Sequence, residues 1–98
     1  MAKVLAHEPD ARRYTLTLDG QLLATADYVI NGESISFNHT YTQPTHRGQG
    51  LAGEVVTYAV DDVEANTGLR VVPMCWYVGQ WFDAHPERAG LLTRGDSK

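Results

Sequence analysis

Pro44-Thr45-His46-Arg47-Gly48-Gln49-Gly50-Leu51-Ala52-Gly53 decides the reading of this chain, because it joins a segment of β-type alternation to one of helical spacing. The first turn of any helix carries unpaired backbone N–H groups and the positive end of the macrodipole. Ser, Thr, Asp or Asn ordinarily caps those donors, but here Arg47, Gly48, Gln49 and Gly50 lead in. The amides are left for another acceptor, and an anion such as a phosphate suits them. Glycines at 48 and 50 remove Cβ atoms that would keep a bulky anion from the backbone, and Arg47 adds a cation at the rim. The other reading is a tightly packed strand-to-helix corner that holds no ligand.

Outward from that corner, the N-terminal side reads as an antiparallel meander. From Arg12, the residues Tyr14, Leu16 and Leu18 point one way and Arg13, Thr15 and Thr17 the other. Asp19-Gly20 makes a turn, a strand runs from about Gln21 to Ile30, and Asn31-Gly32 is a strong hairpin signal. A third strand starts near Ser34, with Ile35, Phe37, His39 and Tyr41 on its apolar face and Ser36, Asn38 and Thr40 opposite.

On the C-terminal side, Ala52, Val55, Val56, Ala59 and Val63 recur at the spacing of one buried helical stripe. Gly68 is expected to end that helix as a left-handed cap. Asp61, Asp62 and Glu64 are read as a solvated face. Leu69 to Met74 is a short apolar strand broken at Pro73, which cannot donate to a sheet ladder. Trp76 to about His85 is a second, shorter helix stopped by Pro86, and His85 is its end.

The chain has 98 residues, 43% hydrophobic and 20% charged, which fits one ordinary globular domain. Its core is expected over about 4–92, with 93–98 a flexible tail. Eight basic against twelve acidic residues give a net charge of −4, which disfavours nucleic acid and suits an amine-bearing partner. No apolar run has the length of a membrane span and no secretory h-region opens the chain, so a cytoplasmic location without membrane attachment is expected. Cys75, the single cysteine, cannot form an internal disulfide. Edge strands leave a monomer or a weak homodimer open.

This order of elements resembles the GNAT superfamily of acyl-CoA-dependent N-acetyltransferases. Arg47-Gly48-Gln49-Gly50-Leu51-Ala52 fits the pyrophosphate signature of that family. Asn38-His39-Thr40-Tyr41 and Pro73-Met74-Cys75-Trp76-Tyr77-Val78 look like a minimal single-domain subfamily with a conspicuous cysteine. The resemblance spans about Tyr14 to Pro86. It implies an α+β fold, a GNAT-like mixed, mostly antiparallel sheet with the main helix after the glycine turn and a shorter C-terminal helix. It further implies acetyl-CoA or coenzyme A as cofactor. The pantetheine arm would lie where the strands near Phe37–Thr42 and Leu69–Met74 part, beside Thr40, Tyr41 and Thr42, and the pyrophosphate on the amides of Gly48, Gln49, Gly50, Leu51, Ala52 and Gly53 with Arg47 nearby. The acceptor would be an amine on a small molecule, peptide or protein, received in a shallow, open site.

Acetyl transfer needs a nucleophile, a base and a proton for the departing thiolate. Cys75 is the candidate nucleophile, with two roles open under the resemblance, acyl carrier or lining of the acyl slot, and a third as a small buried hydrophobe. His39 is the candidate base, or else a packed histidine with one hydrogen bond. Tyr77 matches, by position, the tyrosine that protonates the leaving thiolate in many GNAT enzymes. Trp76, Trp81 and Phe82 are read as core or cleft wall, His46 as a turn residue, and Arg70 as a second, weaker phosphate cation. No metal site is expected. Two other readings stand beside the enzyme: a non-catalytic CoA or acyl-CoA binding module, and a structural interaction domain.

Overall fold

The computed structural model describes residues 3–46 and 48–94. Five strands, β1 (Lys3–Glu8), β2 (Arg13–Leu18), β3 (Gln21–Asn31), β4 (Ser34–Thr42) and β5 (Arg70–Pro73), form one sheet in sequence order. The first four are antiparallel neighbours and β5 runs parallel to β4. A parallel partner requires a crossover, which is the long helix α1 (Leu51–Asn66); the shorter α2 (Trp76–Ala84) follows β5. The α+β architecture with both helices is the one the sequence implied.

The turns follow from their residues. Asp19 and Gly20 hold φ of 51° and 84° between β2 and β3, and Gly32 takes a φ of 62° between β3 and β4, a conformation that asparagine, aspartate and glycine accept most readily. Helix α1 buries Leu51, Val55, Val56, Ala59, Val60 and Val63 against Tyr14, Leu16, Ala26 and Phe37 of the sheet. Each fully buried valine contributes roughly 1.5–3 kcal/mol relative to exposure. Helix α2 packs on α1 from the same side, where Trp81 Nε1 donates to Thr57 Oγ1 at 3.0 Å. A 3-10 segment, Pro86–Leu92, then returns with Leu91 buried.

Several expectations are corrected. Strand β1, an edge strand paired to β2 over its whole length, had no counterpart in the sequence reading. Gly68 is not left-handed; α1 ends at Thr67, whose extended backbone and Oγ1 both bond Val63 O, the latter at 2.7 Å. The acidic trio is not simply solvated. Asp61 and Glu64 hold Arg88 at 3.0 and 2.6 Å, and Asp62 accepts the Tyr14 hydroxyl at 2.6 Å. Thr15, assigned away from the core, is nevertheless buried. Of the expected tail, residues 95–98 lie outside the described residues, while the Arg94 guanidinium reaches Val63 O.

One irregularity matters for function. Asp27 pairs with His39 and Tyr28 with Phe37, so Asn38 is an extra residue in β4. A bulge of this kind reverses the facing of everything after it. Ile35 and Phe37 face the helices, and beyond the bulge Thr40 and Thr42 do, opposite Ala26 and Ala24. His39 and Tyr41 therefore stand on the other face of the sheet, not on the apolar face the uninterrupted alternation predicted.

Candidate active site

The pairing of β4 with β5 stops at Phe37↔Pro73. Pro73 has no N–H to continue it, Met74 N turns back to Val72 O, and Cys75 N makes the last link across, to Phe37 O at 2.9 Å. Beyond that link the strands part, and the gap opens into a cleft of about 760 Å³. Asn38, His39, Thr40 and Thr42 line it from β4, Ala52 from the first turn of α1, and Met74, Cys75, Trp76 and Tyr77 from the β5–α2 junction. Two segments far apart in sequence, each expected to carry site residues, thus face one space.

Cys75 occupies the N-cap position of α2, with its side chain partly buried. Its Sγ lies 3.6 Å from Thr40 Oγ1. Burial alone pushes a thiol up, because it penalises the anion. Hydrogen bonds from the Thr40 hydroxyl and from the backbone of Tyr77, Val78 and Thr40 outweigh that penalty, so the Cys75 thiol sits below the usual cysteine value. A helix start facing a thiol works in the same sense.

The glycine corner has the expected backbone. Gly48 and Gly50 take φ of 86° and 75°, and Gly50 is the N-cap of α1 with no side-chain cap bond. A Cβ at either position would meet nothing within 4 Å. Positive φ, not crowding, demands glycine there, and the space in front of the backbone is open. The helical ladder starts at Glu54 N to Gly50 O, so the N–H groups of Leu51, Ala52 and Gly53 precede it. Those donors and that room fit a phosphate group. Arg47 lies outside the described residues.

Tyr77 leans over this corner, since a Cβ added at Gly53 would come 3.2 Å from its hydroxyl. It also borders a second cavity of about 700 Å³ between α1 and α2. Trp81 and Phe82 are buried, whereas Trp76 is 73% exposed at the cleft mouth beside Met74 at 67%. His85 caps α2 as expected, with Nδ1 on Trp81 O at 2.7 Å and its ring stacked on Trp81. His46 ends a 3-10 turn and meets Thr45. Arg70 pairs with Ser34, three positions before the strands part, roughly 10 Å from the cleft at strand rise. Among the described residues no three metal-ligating side chains come together, and no helix is long and apolar enough to cross a membrane.

Two contacts of the cleft escape the sequence. Asp27 accepts from or pairs with His39 Nδ1 at 3.3 Å; its only sequence signal is a lone carboxylate in the apolar strand Ala24–Ile30. Thr40 was assigned to the coenzyme, yet it also meets Cys75, a contact that only the bulge creates.

Comparison with known proteins agrees with this geometry. Among curated proteins none matches the sequence significantly. A family model described as GCN5-related N-acetyl-transferase matches residues 13–91, a span running from the first residue of β2 through the glycine corner and the Cys75 junction to Leu91. With the parted strands and the uncapped helix start in place along that span, the chain belongs to the GCN5-related N-acetyltransferase family.

Proposed function

We propose that the protein transfers the acetyl group of acetyl-CoA to an amine on a small molecule, peptide or protein. The observation that carries this reading is the single cleft in which Cys75 and Thr40 meet the uncapped first turn of α1. The amides of residues 48–53 and the parted edge of β4 at Thr40–Thr42 would hold the coenzyme, with Tyr41 contributing backbone because its side chain faces away. Acetyl-CoA supplies the activated acyl group.

The chain's own residues supply the rest. Cys75 Sγ, as the thiolate, forms a bond to the thioester carbonyl carbon while the bond from that carbon to the departing sulfur breaks. Tyr77 gives its hydroxyl proton to that sulfur and regains one from solvent. The amine then attacks the acetyl carbon held on Cys75, the C–S bond breaks to restore the thiolate, and His39 takes the amine proton.

Intact-mass spectrometry after incubation with acetyl-CoA tests this. The expected result is one acetyl group on Cys75, discharged on addition of an amine and absent from Cys75→Ala, which still melts higher with CoA. Stabilisation by CoA without an adduct or amine-dependent thiol release selects the binding module instead. No stabilisation by CoA overturns both.

A further inference from the structure

Four residues form a row across the face of the sheet opposite α1. The register sets Glu8 opposite Arg13, Arg13 opposite Asp27, and Asp27 opposite His39. Cross-strand partners share a face, so the row runs through β1, β2, β3 and β4 and ends where β4 parts from β5. Its charges alternate. Arg13 Nε holds Glu8 at 2.6 Å, and His39 Nδ1 faces Asp27 Oδ2 at 3.3 Å. The next row along the same face is Ala6, Thr15, Thr25 and Tyr41, so Asp27 is the carboxylate that meets the imidazole. The other titratable groups bordering His39 are Tyr41 on its own strand and Cys75 and Tyr77 across the cleft.

We infer that Asp27 is a positioning residue for the acyl acceptor step, fixing His39 so that its Nε2 takes the proton of the incoming amine. This rests on the acetyltransferase reading above. An ionised carboxylate only accepts hydrogen bonds, so Asp27 draws the imidazole proton to Nδ1 and leaves a lone pair on Nε2. As the amine nitrogen bonds the acetyl carbon, its proton passes to Nε2, and the imidazolium formed lies against Asp27, which stays ionised. The Asn38 bulge is what brings this about. It turns His39 onto the face where Asp27 stands while Thr40, the next residue, turns to Cys75, so one strand serves the base and the nucleophile from its two sides.

The test compares wild type, Asp27→Asn and His39→Gln. In ¹⁵N spectra of the imidazoles at neutral pH, His39 of the wild type is expected as the Nδ1–H tautomer, and Asp27→Asn is expected to lose that bias. The kcat/KM for an amine should fall at least tenfold in Asp27→Asn and in His39→Gln, while acetyl loading of Cys75 and the melting temperature stay near wild type. An unaltered tautomer in Asp27→Asn, or an unaltered kcat/KM, overturns the inference while leaving acetyl transfer intact. A wild type that shows neither an acetyl adduct nor amine-dependent thiol release from acetyl-CoA overturns the acetyltransferase reading first, and the inference with it.

Discussion

The Thr40 hydroxyl of β4 stands 3.6 Å from the Cys75 sulfur at the start of α2, across the point where the sheet opens. That contact is one of those holding the thiol below its usual value against the cost of burial. Thr40→Val keeps the shape and removes the hydroxyl. Its Cys75 should be alkylated several-fold more slowly by iodoacetamide at pH 7, with the midpoint of the rate–pH curve moved up, and catch up at high pH where both thiols are ionised.

The bulge can be tested by removing it. Deleting Asn38 joins Phe37 directly to His39, so plain alternation keeps His39 opposite Asp27 and Thr40 toward the helices. The thiol should then react close to the wild-type rate, because its Thr40 contact is retained. Far-ultraviolet circular dichroism should still report the sheet, since the hairpin at Asn31-Gly32 lies on the far side of Phe37.

Gly53 separates stability from activity. It lies inside α1, where alanine is favoured by about 1 kcal/mol, but its Cβ would sit 3.2 Å from the Tyr77 hydroxyl. Gly53→Ala should melt no lower than wild type and transfer acetyl groups several-fold more slowly, because the hydroxyl must shift. Thermal melts and turnover on the same sample check both halves.

Acid stability should depend on Asp62. Its carboxyl is held below the ordinary carboxylate value, first by the Tyr14 hydroxyl, with Asn66 and His7 adding to the effect against the opposing cost of burial. A carboxylate depressed in the folded state contributes stability that is complete above its unfolded value and is lost as pH falls through the folded one. Urea midpoints should therefore decline below about pH 4 in wild type. Asp62→Asn should start lower at pH 7 and decline less over that range.

Much of this fold was legible because it is written locally. Asp19-Gly20 and Asn31-Gly32 announce two hairpins, and the Val55–Val63 stripe and Pro86 bound the helices. The facing of His39 was not legible, since Asn38 continues the alternation perfectly as a string and becomes a bulge only against Asp27 and Tyr28 of another strand. Strand β1 escaped notice for a similar reason. Val4 to Glu8 carries no turn signal and owes its conformation to the waiting edge of β2. The acids of α1 looked like surface because Tyr14 and Arg88, their partners, lie 48 and 24 positions from Asp62 and Glu64. Tertiary pairs of this kind leave no periodic trace. Of the site, the glycine corner and Cys75 could be read directly, whereas Asp27 and the second role of Thr40 required the register.

Helix α1 begins without a cap, and a missing cap forgoes about 1 kcal/mol. Whatever anion settles on that turn restores the deficit, so occupancy and folding are thermodynamically linked. If that anion is the acetyl-CoA proposed above, a chain starved of it would open more often at this end and meet proteases sooner, and the half-life of the protein should track the abundance of acetyl-CoA.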